Sequence, residues 1–135
     1  MAVIARMNDA NLALKAAGAI TSTTSGSFVD LGAAARLDAT IVIEVTSIDS
    51  TTGDELYILA LEGSSDGSAV AARCGYWLWD AAAAVSLPTA GSRLEIPITN
   101  APYGTAYRYL RLTSTLAGTT PSVNFSARLT KGALS

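Results

Sequence analysis

Apolar and polar residues alternate with a period of two over much of this chain. In the segment 107–116, Leu110 and Leu112 fall on one face, while tyrosine, arginine and threonine occupy the other. The segment 122–130 repeats the pattern, with Phe125 among its apolar positions. A period of two with one apolar face is typical of a strand that covers a core on one side and meets solvent on the other. Both segments are therefore predicted to be strands.

The short connection between these two strands predicts how they pair. It contains Gly118 and Pro121, and a few residues of this type suit a hairpin loop. The sequence therefore predicts an antiparallel hairpin whose polar face carries Tyr109 and Arg111. That face is either plain solvated sheet or a contact between subunits, because tyrosine and arginine are residue types that anchor interfaces.

Further segments along the chain have the pattern of strands. They lie at 28–31, 39–48, 55–62, 70–79 and 93–99. The segment 55–62 is apolar on both faces, which predicts a central strand of a sheet. Pro97 predicts an edge position for the last segment, because proline has no N–H to donate to a neighbouring strand. Clusters of Gly, Asp and Ser at 50–54 and 63–67 predict turns.

Many short strands without a long helical period predict an all-β fold, an antiparallel sandwich or barrel. The 135 residues fit one such domain, which we place at 21–135. Residues 1–20 have a weaker pattern, that of a poor amphipathic helix or of an extended arm in which Leu12 and Leu14 alternate. We favour an N-terminal arm or an extra strand, and expect Leu12 and Leu14 to contact a partner.

Composition narrows the classes of partner. Charged residues make up 15% of the chain, against about 25% in ordinary soluble domains. A surface so poor in charge indicates either burial against partners or a sandwich with neutral, Ser/Thr-rich loops, and both alternatives stay open. The net charge is −2 and the basic residues are scattered, so we expect no nucleic-acid partner.

No apolar run in the chain is long enough for a membrane-spanning helix, so no membrane partner is expected. Arg6 and Asp9 interrupt the apolar stretch that a secretory leader needs. We therefore expect the protein to be made and kept in a cytoplasm until it is assembled. Its single cysteine, Cys74, excludes an intramolecular disulfide.

The residue types needed for common catalytic and metal sites are scarce. Without histidine, neither a Ser-His-Asp nor a Cys-His arrangement is possible, and a zinc site has too few ligands. The stretch EGSSDGS at 62–68 lacks both the lysine of a phosphate loop and the ligand spacing of an EF-hand, so it is predicted to be a turn. We expect no enzyme, no cofactor and no metal.

An aromatic cluster at 76–79 is the remaining candidate site. In a strand, Trp77 and Trp79 share one face, and Tyr76 and Leu78 share the other. One pair is expected to fill the core, and the other to form a contact with a subunit, a larger partner or a ligand such as a sugar. Trp77 and Trp79 are candidate partner-binding residues, together with Tyr109 and Arg111.

Three stretches, in this order, carry a resemblance to a known family. They are "ITSTTSGSFVDLG" (20–32), "LYILALEGSSDGS" (56–68) and "YRYLRLTSTLAGTTPSVNFSARLT" (107–130). Together they resemble the small jelly-roll cement, or decoration, proteins on tailed-bacteriophage capsids. The resemblance implies an eight-stranded jelly roll that forms a homotrimer. Seven strands are clear in the sequence, so the eighth is expected from the N-terminal segment or from the Ala-rich loop at 80–91.

The resemblance also implies a function. Such trimers sit on the outer surface of the virion, at threefold or quasi-threefold positions, and clamp neighbouring copies of the major capsid protein. We therefore expect a structural protein, made in the host cytoplasm, that stabilises the head. The alternative is a β-sandwich module that binds a carbohydrate or a receptor. The two differ in whether the aromatic side chains are buried or lie exposed in a cleft.

Overall fold

The structure, a computed structural model, describes residues 12–83 and 87–130. Its strands are β1 (Ala13–Lys15), β2 (Ala19–Ile20), β3 (Thr24–Ser25), β4 (Val29–Asp30), β5 (Asp38–Ile48), β6 (Leu56–Ser64), β7 (Ala72–Asp80), β8 (Arg93–Thr99), β9 (Tyr109–Ala117) and β10 (Val123–Thr130). The strand pairs are antiparallel, and the strands form two sheets that enclose one core. The predicted all-β sandwich is confirmed.

The strand order within the two sheets is that of a jelly roll. In sheet A, β10 and β5 are central, β8 forms one edge, and β1 and β2 together form the other. In sheet B, β9 and β6 are central, β7 forms one edge, and β3 and β4 together form the other. When each interrupted edge is counted as one strand, the fold has eight strand positions. The eighth strand, which the sequence does not show clearly, is the edge of sheet A formed by β1 and β2.

Inward-facing residues of both sheets fill the core. Sheet A contributes Ile41, Ile43 and Phe125, each completely buried, and sheet B contributes Leu61 and Leu110. These are positions that the alternation assigns to the apolar face, so the predicted core is confirmed. β6 is the predicted central strand, and β8, with its outward Pro97, is an edge strand as predicted.

The predicted hairpin over 107–130 is wrong. β9 pairs with β6, β3 and β4 in sheet B, whereas β10 pairs with β5, β1 and β2 in sheet A. The connection at 118–122 crosses from one sheet to the other, so the apolar faces of β9 and β10 meet across the core. Each alternation pattern identified its own inner face correctly, but a pattern of faces does not specify a neighbour.

The crossover is held against the loop that precedes β6. Gly118 has a φ of +104°, and a Cβ there would lie 2.5 Å from the carbonyl oxygen of Asp54. The backbone N–H and the hydroxyl of Thr119 both donate to the Asp54 carboxylate, at 3.0 and 2.8 Å to its nearest oxygens. Glycine at 118 therefore permits a close backbone approach, which hydrogen bonds then fix.

The N-terminal segment is part of the sandwich from residue 12 onward. β1 and β2 pair with β10, and Leu12 and Leu14 are buried in the core. Residues 13–15 and 19–20 thus form strands at the edge of sheet A, and Leu12 and Leu14, which we expected to contact a partner, keep only 3% and 4% of their surface exposed. Their side chains are already covered by this chain. Residues 1–11 of the expected arm lie outside the described residues.

The Tyr57 hydroxyl joins two loops at one end of the core. It donates to the carbonyl oxygen of Asp49 at 2.5 Å, and it lies 3.1 Å from both the backbone nitrogen and the carbonyl oxygen of Ser122. The ring is completely buried. One side chain thus links the β5–β6 loop to the crossover between the sheets.

We expect Tyr57→Phe to lower the free energy of unfolding by about 1–3 kcal/mol, because the change leaves polar groups of the loop backbone without their partner. Urea denaturation of both proteins measures this. Tyr103→Phe is the matched control, since Tyr103 is the most exposed of the large hydrophobic side chains described. Equal losses for the two variants would contradict the role given to the Tyr57 hydroxyl.

Candidate functional site: the outer face of sheet B

The outward side chains of sheet B form a continuous surface, which we call the outer B face. Register places Leu56, Ile58 and Ala60 of β6 on this face, beside the outward residues of β7 and β9. Ile58 lies opposite Leu78, and Ala60 opposite Tyr76. Leu56, Ile58, Tyr76 and Leu78 form one apolar patch.

This apolar patch is accessible. Tyr76 is 47% exposed and Leu78 37% exposed, and only two other large hydrophobic residues in the described part of the chain, Val70 and Tyr103, are as open. Leu56 and Ile58 are half-buried between the flanking strands. Scattered single apolar residues are ordinary on protein surfaces, whereas a contiguous exposed group on one sheet face indicates a contact surface.

A polar cluster borders the patch. The Glu62 oxygen Oε1 accepts hydrogen bonds from Arg111 Nε and Thr113 Oγ1, both at 2.8 Å. The Arg111 guanidinium also lies 4.7 Å from the ring centroid of Phe28. The Arg111 and Glu62 side chains are only 24% and 19% exposed. Arg111 is therefore held in one orientation by a carboxylate and a ring, which lowers the entropy that it would lose in a contact.

Tyr109 lies at the end of the same face. Its ring packs on Gly67, where a Cβ would come within 3.2 Å of it. The Arg108 guanidinium lies 5.4 Å from the ring centroid of Tyr109 and makes two hydrogen bonds to the Asp30 carboxylate, at 2.7 and 2.9 Å. The structure thus places the candidate residues Tyr109 and Arg111 on one surface, half-buried and ordered by neighbours.

The outer face of sheet A, which we call the outer A face, differs in chemistry. A ladder of half-exposed charges crosses its three long strands, β10, β5 and β8. Glu44 pairs with Arg128 at 3.1 Å and with Arg93 at 3.5 Å, and Arg93 pairs with Glu95 at 2.8 Å. Charges in a solvated ladder keep their water and satisfy one another, so this face is a poor adhesive surface. The two faces of the sandwich are chemically unequal.

The aromatic pair Trp77 and Trp79 does not belong to an exposed site. Trp79 is buried in the core, and Trp77 is partly buried against it. Gly75 makes room for the Trp77 ring, which a Cβ at 75 would meet at 2.7 Å. Of the two faces of this strand, the one that carries Trp77 and Trp79 is therefore the core face, and Trp77 keeps some exposure at the edge of the sheet. The other pair of the strand, Tyr76 and Leu78, is the exposed one.

The remaining candidates for chemistry are structural. Of the turn predicted at 62–68, residues 62–64 belong to β6 and the turn follows them. Asp66 closes it by accepting from the Ala69 and Ser68 N–H groups, which hold the pKa of its carboxyl below the ordinary value. Burial raises the pKa of the Cys74 thiol to about 11, so the thiol is protonated near neutral pH. Within 12–83 and 87–130 there is neither a detectable pocket nor a cluster of residues that could hold a metal ion.

Sequence reasoning expected one of the two pairs at 76–79 to form a contact, but it missed the extension of this patch onto Leu56 and Ile58 of β6. The signal that could have found it is the segment 55–62, because an apolar second face predicts more than a central strand. In sheet B, Leu56 and Ile58 on the second face of β6 remain partly exposed, and Leu78 and Tyr76 extend this face onto β7. An outward apolar face on a central strand indicates a contact surface as well as a central position.

Comparison with models of known protein families, and with curated proteins, finds no match for this chain. In the part of the chain that the structure describes, no helix is long and apolar enough to cross a membrane.

Proposed function

We propose that this chain is a structural virion protein, a capsid cement or decoration protein of a tailed bacteriophage. In this proposal it is made in the host cytoplasm, binds the outer surface of the major capsid protein lattice as a trimer and stabilises the head. It acts by adhesion, without catalysis and without a cofactor. The observation that carries the proposal is the apolar patch, which is partly exposed on one face of a sandwich whose other face carries a ladder of charges.

The physical mechanism is stabilisation by binding. A protein that binds the assembled shell but not its separated subunits shifts the equilibrium toward the shell by mass action. A trimer engages several subunits at once, so the second and third contacts form at a high effective concentration. Modest contacts from each outer B face then add up over many copies.

The jelly-roll strand order supports the proposal, because it is the topology that the resemblance implies. The alternative, a carbohydrate- or receptor-binding module, has less support. The aromatic pair Trp77 and Trp79 was the reason to consider it, and these rings pack against the core rather than lining a cleft. The described part of the chain also has no cavity that could bind a sugar in place of the aromatic pair. The capsid proposal is therefore the better supported of the two.

The size of the outer B face supports more than one copy at each position. The three strands β6, β7 and β9, nine residues each, lie about 4.8 Å apart with about 3.3 Å per residue and cover roughly 430 Å². A standard stable interface buries about 800 Å² on each partner. A single sheet face is smaller than this, so several copies acting together give a more secure attachment.

The test uses shells assembled from the major capsid protein encoded in the same genome. We expect the purified chain to co-sediment with these shells and to raise their temperature of disassembly. Ile58→Glu places a charge in the middle of the apolar patch and should weaken binding roughly tenfold or more. Thr46→Glu, at an exposed position of β5, is the matched control and should bind normally.

Two outcomes would reject the proposal: failure of the wild-type chain to sediment with the shells, or equal binding by the two glutamate variants. Replacing Tyr109 and Arg111 together with serine tests whether the polar border also contributes. Light scattering of the free protein tests the trimer separately, since trimers give three times the 13.8 kDa mass of one chain, or a multiple of that mass where trimers associate further.

A further inference from the structure

The geometry points to a two-fold contact in which strand β7 pairs with β7 of a second copy of this chain. The two sheets B would join edge to edge into one sheet. This contact does not depend on the proposed function. Among the sheet edges that the structure describes, β7 is the only one that lacks, over most of its length, the features that prevent pairing with another chain.

The other three sheet edges have features that prevent pairing. One edge of sheet A and one of sheet B are interrupted into short strands. The remaining edge of sheet A, β8, carries Pro97 and the charged residues Arg93 and Glu95. Short strands, proline and charge are the means by which natural proteins keep edges from pairing with other chains.

β7 is nine residues long and contains neither proline nor lysine. It pairs with β6 regularly from Gly75 to Asp80, and the irregularity in the pairing is confined to the end near Arg73. No described strand pairs with its other edge. Alternate backbone N–H and C=O groups of a terminal strand point away from the sheet, so β7 presents a regular template for an added antiparallel strand.

The outward side chains of β7 are complementary to themselves in an antiparallel register centred on Trp77. Tyr76 then lies opposite Leu78 of the second copy, and Leu78 opposite its Tyr76. An aromatic side chain beside an aliphatic one is a favourable cross-strand pair. The partly buried Trp77, which packs inward at the open edge, is covered in the same step.

Charge supports the same register. Arg73 and Asp80 lie near opposite ends of β7 on the outer B face, as their partners Glu62 and Leu56 on β6 indicate. Antiparallel pairing brings each near the opposite charge of the second copy. The Arg73 guanidinium lies 4.8 Å from the Tyr76 ring centroid, and the Asp80 carboxylate accepts from the Ala82 N–H at 3.0 Å. These contacts hold both charged side chains in place. A second copy is therefore the occupant that fits this edge.

The contact has a consequence for adhesion. Two sheets B joined at β7 present one outer face of roughly 860 Å², twice the area of a single face and close to the roughly 800 Å² of a standard interface. If groups of three copies also form through another surface, the two-fold contact links one group to the next.

The test measures the mass of the free protein and needs no capsid. We expect an even number of 13.8 kDa chains in each particle, two of them, or six if three-fold groups form as well. Tyr76→Glu places a carboxylate opposite Leu78 and should halve the mass. The double variant Tyr76→Glu, Leu78→Lys should restore it, because each new glutamate then meets a lysine of the second copy. Thr46→Glu, on the other sheet, should leave the mass unchanged.

A wild-type species with the mass of one chain or of three chains, at the highest soluble concentration, would overturn the inference, as would a mass that Tyr76→Glu leaves unchanged. Failure of the double variant to regain the mass would overturn the register. Circular dichroism and thermal unfolding establish that the variants fold, which we expect because both side chains are exposed. Halving of the mass without any capsid binding by the wild type would reject the proposed function and leave the two-fold contact intact.

Discussion

Phe125→Ala should lower the free energy of unfolding by roughly 3–5 kcal/mol, the usual cost of removing a large aromatic ring from a core. The ring is completely buried in β10 and belongs to the cluster that both sheets share. The Lys15 ammonium lies 4.5 Å from its centroid, and Lys15 donates to the Phe125 carbonyl at 2.7 Å. The substitution therefore leaves a cavity and also disturbs the attachment of β1.

Equilibrium unfolding in urea measures this loss. Arg128→Ala is the control, because Arg128 lies further along the same strand, faces outward and is half-exposed in its pair with Glu44. Exposed ion pairs contribute about 0–1 kcal/mol, so this variant should remain close to wild type. A loss below about 1 kcal/mol for Phe125→Ala would contradict its place in the core.

The second large effect concerns the N-terminal strands. Replacing Leu12 and Leu14 together with alanine should lower the free energy of unfolding by about 4 kcal/mol or more, because each buried leucine typically contributes about 2–5 kcal/mol. Whole domains are stable by only about 5–15 kcal/mol, so the double variant should lie close to the unfolding threshold. A chain that starts at Thr21 should be affected still more, because it also lacks the pairing of β1 and β2 with β10.

Thermal and urea unfolding of these variants beside wild type tests this prediction. Ala13→Ser is the matched control, since Ala13 is exposed between the two leucines and its substitution removes no core contact. A chain that starts at Leu12 retains every contact described. If the chain that starts at Thr21 unfolds at the same urea concentration as wild type, the N-terminal strands are dispensable, and the expected arm is restored for residues 12–20.

Several features of the site could be derived from the sequence, and several could not. The outward position of Tyr109 and Arg111 followed from the period of two. The Glu62 and Phe28 partners that hold Arg111 come from segments far away in the sequence, and no local pattern indicates them. For β7 the alternation separated the two pairs of side chains correctly, but only packing shows that Trp77 and Trp79 face inward.

Buried polar residues show the same limit. Glu55 is completely buried and accepts from the backbone N–H groups of Thr52 and Gly53. Asn100, also buried, accepts from the Leu37 N–H and donates to the carbonyl oxygens of Ala35 and Tyr107. Both residues satisfy loop backbone that would otherwise be buried without partners. Nothing in their sequence neighbourhood marks them as interior, because their burial depends on how the whole chain packs around them.

The sequence by itself determined the class of the fold, most of the strands and the inner face of each, because alternation is a local property of side chains on a pleated backbone. Only the tertiary structure decided which strands are neighbours. β9 and β10, adjacent in sequence and separated by turn residues, lie in different sheets with their apolar faces opposed across the core. A hairpin within one sheet would bury the same faces, so local alternation could not distinguish the two arrangements. In the same packing, Leu12 and Leu14 are buried in the core, whereas Tyr76 and Leu78 remain exposed on the surface. Which apolar residues remain exposed is therefore a property of the whole sandwich.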